Sequence, residues 1–428
     1  MKLFKYSYWL YEYNFWVVCI SSLLLILFGA KQYLISILLP LSFFAIAYAS
    51  RKKHSMNIFD MFIVLILVSD VISWAINDYR FKYVLIFRHI MGPISYMMVY
   101  FVGRNLSVEK SYKVFETSLL PALITSVVGI YCFFFPPSWY FSIMEDGALA
   151  SLEALRLHSI FPSPYQLAYL DCFLLGYIFF RIFQYNDSFK KYKYHIVVFV
   201  ITLVFCMMRA PMVGVALYLF FGLLLSSIVK GNFKKLINVL IGLIVMIGVM
   251  FVVLKNTNAQ YVDYLAEKFE IVSDKNSTFV EDRYKLVEAD ESFFGDGAGR
   301  HNLWADDFNV GTSIRDGEYQ KLMQEVGYFG QYIYITLIVL VILKSLKNYR
   351  YLLFEMSTMI FLLVSMIGAC PLSTGDKSSF VFWLVMGRVA SFRKTKLRDS
   401  KFKDFRSNQS ILKSASNLND NLNCSKEL

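Results

Sequence analysis

Six arginines carry most of the chemistry this sequence offers: Arg88, Arg156, Arg209, Arg283, Arg300 and Arg315. The planar guanidinium makes paired charge-assisted bonds to a phosphate or carboxylate and stays charged at any ordinary pH, which suits it to a diphosphate. Arg88 stands in LIFRHIMGP, with Pro93 just beyond it to open the backbone. Arg156 precedes an apolar run in EALRLHSIFPSPYQLAYL, and Arg209 sits in the tight CMMRAPM connection between two such runs. A charge beside hydrocarbon is costly, so each of the three must face a cavity or a partner. A charge-assisted bond contributes roughly 1.5–3 kcal/mol when partly desolvated. Three such arginines near one face of a membrane would hold a lipid-linked diphosphate against water. The competing reading of Arg88 is an ion pair with Asp70 inside the helix bundle. Structural pairing is also the ordinary reading of Asp70 and Asp171, which both lie in apolar runs.

The other three arginines fall in residues 255–326, the one long hydrophilic stretch of the chain, with glycines at 295, 297 and 299. Thr278-x-x-Glu281 is a capping box that predicts a helix over 279–291, with Phe279, Arg283 and Leu286 on one face. Gly295-Asp296-Gly297-Ala298-Gly299 then ends it. Successive N–H groups in such a turn form an anion-binding nest, and the plainer alternative is a helix C-cap and turn. No buried strand precedes these glycines, which argues against a nucleotide loop. Candidates for a proton-accepting group are Asp316, Glu318 and His301, although His301 reads first as a surface-loop histidine. Gly297 and Tyr319, with Arg88, Arg300 and Arg315, are candidate substrate contacts, and Trp139, Tyr140 and Trp304 could stack on sugar faces. The acidic pairs Asp290/Glu291 and Asp306/Asp307 are ungrouped, so no metal site is justified.

What positions these residues is a set of apolar spans. Hydrophobic residues make up 57% of the chain and charged ones 18%, which excludes a soluble globular protein. Runs long enough to cross a hydrocarbon core of about 30 Å must be helical, because lipid offers no partner to a free backbone N–H or C=O. Twelve spans are expected near 12–30, 33–50, 58–76, 83–103, 116–135, 161–180, 193–208, 211–229, 236–254, 327–343, 352–369 and 379–392. With a cytoplasmic N-terminus, 27 Lys and Arg fall inside and 14 outside, eight of the latter in the long loop. The net charge of +11 thus follows from topology and implies membrane lipids, not nucleic acid, as the partner of the basic residues. The first span lacks an Ala-x-Ala-like cleavage site and reads as an uncleaved signal anchor. Six scattered cysteines fit neither a disulfide framework nor a metal site. The expected architecture is all-α and polytopic. A membrane domain over 1–254 holds nine spans, 255–326 is a periplasmic loop with short helices, 327–392 holds three spans, and 393–428 is a disordered basic cytoplasmic tail.

Four segments carry a resemblance. They are Arg156-Leu157 leading to Phe161-Pro162-Ser163-Pro164, then Met208-Arg209-Ala210, then Arg283 and Leu286 running to Phe293-Phe294-Gly295-Asp296-Gly297-Ala298-Gly299. The fourth is Asp316-Gly317-Glu318-Tyr319 with Glu325-Val326-Gly327-Tyr328-Phe329-Gly330. In order and spacing this set resembles the Wzy-type O-antigen polymerases and the related O-antigen ligases, polytopic glycosyltransferases of bacterial envelopes. The resemblance covers roughly residues 150–345. It implies transfer of a glycan from undecaprenyl diphosphate at the periplasmic face of the Gram-negative inner membrane, with undecaprenyl diphosphate as leaving group and no cofactor. Arg156, Arg209 and Arg283 would then serve catalysis, and a chain-length regulator and a flippase would be partners. Ligases of this kind carry a His-Asn pair about nine residues before the Glu-x-Gly-x-x-Gly element. Here Asp316-Gly317 stand there, and His301-Asn302 lie 24 residues before Glu325. Polymerase is therefore favoured over ligase, with His301 dispensable. A lipid-linked oligosaccharide flippase or other transporter is the alternative from another class. Neither an internal repeat nor an inverted pair of broken helices is visible to support it.

Overall fold

The computed structural model of the chain describes residues 55–105, 108–138, 156–161, 163–230, 292–302, 317–372 and 377–392, with a few isolated positions besides. Met1–Ala390 forms one compact unit, which holds the helix bundle and the candidate site, and Ser391–Leu428 forms a second. The described residues form helices joined by turns. In chain order they are α1 (Ile58–Ile76), α2 (Lys82–Asn105), α3 (Val108–Phe134), α4 (Pro164–Gln184), α5 (Phe189–Cys206), α6 (Arg209–Lys230), α7 (Glu318–Lys347), α8 (Tyr349–Ser365) and α9 (Lys377–Ser391). Of these, α1, α2, α4, α7 and the Tyr112–Phe134 part of α3 are long and apolar enough to cross a membrane, so the chain is a multi-pass helical membrane protein. The expected spans at 12–30, 33–50 and 236–254, the predicted helix at 279–291 and the tail lie outside the described residues.

The helix ends follow local chemistry. Asn57 caps α1 with its side chain on the Asp60 N–H while Asp60 returns a bond to the Asn57 N–H, a reciprocal capping box. Ser163 caps α4, with Pro164 at the first helical position where a missing N–H does no harm. Pro93 opens α2 as expected. The turn Ile90–Ile94 widens to a π-helix, and Ser95 Oγ donates to the Met91 and Gly92 carbonyls. Helix α7 departs from the expected span at 327–343. Its first residue is Glu318, and its backbone leaves helical geometry at Gly327, so a half-helix precedes the apolar stretch.

Neighbouring helices run α1–α7–α8–α6–α4–α5–α3. Helix α4 also packs on α3 and α8, and 83% of its apolar window is buried against 39–44% in the other candidate spans. It is the centre of the bundle, and the outer helices keep lipid-facing sides. Long-range bonds then sort the helix ends into two groups. At one end Asn57 reaches the Ala390 carbonyl, Arg104 pairs with Asp60, Lys344 donates to the Ala390 carbonyl, and Gln184 to the Arg350 carbonyl. One helical length away, Asn77 meets Gly295, Leu157 meets Phe205, and Glu318 meets Met366 and Leu372. The connections α1–α2, α3–α4, α5–α6 and α8–α9, and the residues before α7, share this second end, which carries the candidate site.

Candidate functional site at one end of the bundle

The site is built on two backbone irregularities that complete each other. Gly327 sits at φ +67° and ψ −173°, a conformation open essentially to glycine alone. Breaking α7 there releases carbonyls from the helical ladder. The Gln324 carbonyl accepts from the Asp296 N–H (2.8 Å) and the Glu325 carbonyl from the Gly297 N–H (3.1 Å), while the Phe329 N–H goes to the Phe293 carbonyl (3.1 Å). Gly295, Gly297 and Gly299, all at positive φ, fold residues 292–302 into the turn that meets this break. Of the two readings of these glycines, an anion nest or a plain turn, the bonding here favours the turn. The N–H groups of Asp296 and Gly297 that would line a nest are spent on the α7 carbonyls.

Helix α1 supplies the floor. Ser73 Oγ donates to the Glu325 carbonyl (2.5 Å), Trp74 Nε1 to the Ala298 carbonyl (2.7 Å) and Asn77 Nδ2 to the Gly295 carbonyl (2.9 Å). Tyr79, in the α1–α2 connection, packs against Gly297, and the Arg300 guanidinium lies 5.6 Å from its ring centroid. Burial, and then the negative charge of Glu325, hold the Tyr79 phenol above its ordinary range. Such a phenol stays neutral at any working pH.

His301 is not the surface-loop histidine that its sequence context implies. It is buried, with its Nε2 2.9 Å from Asp296 Oδ2, its N–H on Glu325 Oε1 at 3.0 Å, and its carbonyl accepting from the Ile314 N–H. Arg300 Nη1 stands 3.5 Å from the same Asp296 oxygen. Glu318 is fully buried; its Oε2 accepts from the Leu372 N–H (2.8 Å), and its own N–H reaches the Met366 and Ala369 carbonyls. The Tyr319 hydroxyl donates to the Leu363 carbonyl (2.9 Å). These bonds tie Glu318 to the α8–α9 connection and Tyr319 to the last turn of α8.

Among the arginines, Arg156 is half-buried with Nη1 3.8 Å from Met208 Sδ, and Arg209 is the exposed first residue of α6. Both residues lie where the 156–161 segment docks on the end of α5, Arg156 against Met208 and Arg209 next to Met208 in the chain. That docking is fixed by the Leu157 N–H on the Phe205 carbonyl (3.1 Å) and Cys206 Sγ on the Leu157 carbonyl (3.0 Å). Arg88 is half-buried near the start of α2. The expected Arg88–Asp70 alternative gives way to a different pair: Asp70 faces the neighbouring residue His89, at 3.5 Å. Asp171 is buried with both carboxylate oxygens accepting from Ser126 Oγ, a hydrogen bond where the sequence reading expected an ion pair. Arg283, Arg315, Asp316 and Trp304 lie outside the described residues.

Sequence reasoning missed His89, Tyr79, Lys321 and Gln324, and noted Glu325 only as part of the Glu-x-Gly-x-x-Gly element. Lys321 is buried with Nζ on Asn302 Oδ1 at 2.6 Å. The available signal was the spacing of Glu318, Lys321 and Glu325, which puts three charged residues on one face of the half-helix. No protein-family model matches the chain, and neither does any curated protein or solved structure.

Proposed function

We propose that this chain is a glycosyltransferase that polymerises glycan repeat units carried on undecaprenyl diphosphate at the periplasmic face of an inner membrane. The observation that carries the reading is that Arg88, Arg156, Arg209 and Arg300, far apart in sequence, all belong to the same end of an apolar bundle. Cations at a lipid boundary suit a ligand whose charge sits on a lipid tail, and arginine suits a diphosphate. In the transfer an acceptor sugar hydroxyl attacks the anomeric carbon of the donor. The bond to the diphosphate oxygen breaks with both electrons going to the leaving group, and the arginines stabilise that developing charge. The hydroxyl proton leaves to a base or to water. The leaving group is already activated, so the reading calls for no cofactor. The twelve-span topology with both termini cytoplasmic, and partnership with a flippase and a chain-length regulator, belong to the same reading.

A deletion strain tests it through its surface polysaccharide profile. A single repeat unit on lipid A core supports polymerase, and unmodified core with carrier-bound polymer supports ligase. A normal long-chain profile would sink both. The ligase reading is kept for one observation. Although 24 residues of sequence separate them, His301 lies directly beside Glu325, with its N–H on that carboxylate at 3.0 Å. A transporter reading gains from the broken helix α7, since discontinuous helices recur at transporter sites. It would be supported by carrier-linked glycan stranded on the cytoplasmic side of the deletion strain.

A further inference from the structure

One buried pair at this end of the bundle has no task in the proposed transfer. Asp70 on α1 and His89 on α2 are 1% and 4% exposed, and His89 Nε2 lies 3.5 Å from Asp70 Oδ2. That separation is within ion-pair reach but long for a hydrogen bond. Among the described residues, neither ring nitrogen of His89 nor the Asp70 Oδ2 atom has a hydrogen-bond partner. The imidazole also contacts the glycine turn. A side chain at Gly299 would meet His89 Cβ at 3.1 Å and Nδ1 at 3.3 Å. Trp74, whose indole holds the Ala298 carbonyl, stands edge-on to the same imidazole at 5.8 Å between centroids.

We propose that the Asp70–His89 pair is a protonation-controlled latch that docks the glycine turn 295–299, and with it Arg300 and His301, on the ends of α1 and α2. With one proton between them the two groups are together neutral or an ion pair, and either state tolerates burial. After that proton is lost, a bare carboxylate remains in a desolvated place. The surroundings set the sign. Asp70 also feels the negative charge of Glu325 on α7 and faces the neutral Tyr334 phenol of that helix. On the turn, Asn302 Nδ2 lies beside Gly299, and its Oδ1 is held by Lys321 of the half-helix. Asp296, His301 and Arg300 pair among themselves at the rim, and Arg88 adjoins His89 in sequence. Asp70 thus has His89 as its close partner, and the negative charge of Glu325 adds to that of the unprotonated pair. The docked state is therefore favoured below the titration of the pair and lost as pH rises through it.

The latch makes no use of the reaction proposed above, and its test needs no activity. Ala298 is fully buried, so Ala298→Cys in the full-length protein in membranes reports undocking through a membrane-impermeant maleimide, read at that residue by mass spectrometry. Labelling is divided by that of a separate Asp78→Cys protein, an exposed position that corrects for thiolate formation. The expected normalised rate is low in mild acid and climbs with pH, by up to about tenfold per pH unit for a single proton. Asp70→Asn and His89→Gln should each flatten it. The swap Asp70→His with His89→Asp restores the pair and should restore the climb, which separates a latch from simple damage to folding. A flat profile in the parent, or an unchanged climb in both single variants, overturns the proposal.

Discussion

Gly295 and Gly327 approach each other backbone to backbone. A methyl group added to Gly295 would fall on the Glu325 carbonyl and the Gly327 nitrogen, and one added to Gly327 on the Phe293 carbonyl and the Gly295 nitrogen. The helix break and the glycine turn are therefore one device. The break exposes carbonyls, the turn supplies N–H groups, and each glycine leaves room for the other.

Gly327→Ala combines a conformation reserved for glycine with a backbone clash. Such backbone strain alone costs on the order of 1–3 kcal/mol. The expected result is a lowered Tm in detergent and loss of protection at residues 292–302 in hydrogen exchange. An equal change at Gly248, where nothing among the described residues lies within 4 Å of an added methyl, is the control. Unchanged protection in Gly327→Ala would show that the turn does not depend on the break.

Far from the site, Arg388 and Glu355 form a fully enclosed ion pair, with Tyr112 donating to Glu355 and accepting from Arg388. Removing one partner of a buried pair leaves a stranded charge, a loss of about 3–5 kcal/mol, whereas replacing both by apolar residues is often neutral. Arg388→Met is expected to lower Tm and membrane abundance sharply. Arg388→Met with Glu355→Leu should recover most of the loss. A double variant no better than the single one would mean that the charges serve more than each other.

His158 supplies a signed pH dependence. It lies outside the spanning helices, stacked on Tyr140 at 4.1 Å, with Nδ1 3.0 Å from the Phe161 carbonyl. Burial pushes its imidazole down to about 4 from an ordinary value of 6.5. The folded state therefore favours neutral histidine. Its contribution is complete above pH 6.5 and is lost as pH falls toward 4, by about 3 kcal/mol at about 1.4 kcal/mol per unit. His158→Asn keeps a side-chain donor but cannot be protonated in this range. Its Tm should fall less than the parent's between pH 7 and pH 5. Parallel curves would place the acid sensitivity elsewhere.

Hydropathy located the spans well where residues are described. The expected 58–76 coincides with α1, and 83–103, 116–135 and 161–180 fall within a few residues of α2, the Tyr112–Phe134 part of α3 and α4. The signal is strong because lipid leaves the backbone no alternative to the helix. The candidate site was less legible. Averaging over a span hides a break made by one residue, so Gly327 passed as the start of a helix and the half-helix before it went unread. The glycine turn stayed open between an anion nest and a plain turn, because sequence does not show which carbonyls compete for its N–H groups. His89 was passed over beside Arg88, since its partner Asp70 comes from another helix. Arg156 and Arg209 were legible because each adjoins a span whose end is fixed by apolarity.

The topology has a direct test. Reporter fusions after Lys255 and after Arg393 should show the 255–326 loop periplasmic and the tail cytoplasmic. Asp78 and Gly297 share one end of the bundle and Asn57 the other, so cysteines at 78 and 57 should be labelled from opposite faces. An alkaline-phosphatase-active tail fusion, or labelling of both cysteines from one face, contradicts the twelve-span arrangement.

The proposed diphosphate grip rests on Arg156 and Arg209 above all, because Arg156 touches Met208, the residue before Arg209, and Arg209 is exposed. Lysine keeps the charge and loses the fork, so Arg→Lys separates attraction from bidentate geometry. Arg156→Lys and Arg209→Lys should shorten glycan chains severely at unchanged protein level. Arg→Ala at either position should abolish polymerisation, since losing one stabilising donor costs about 10²–10³ in rate. Arg88 and Arg283 are expected to behave likewise. Arg88 carries a complication, because it adjoins the buried Asp70–His89 pair and its loss can disturb folding through His89. Membrane abundance is therefore measured beside chain length for every variant. Normal polysaccharide ladders from Arg156→Ala and Arg209→Ala would end the diphosphate reading of this end of the bundle.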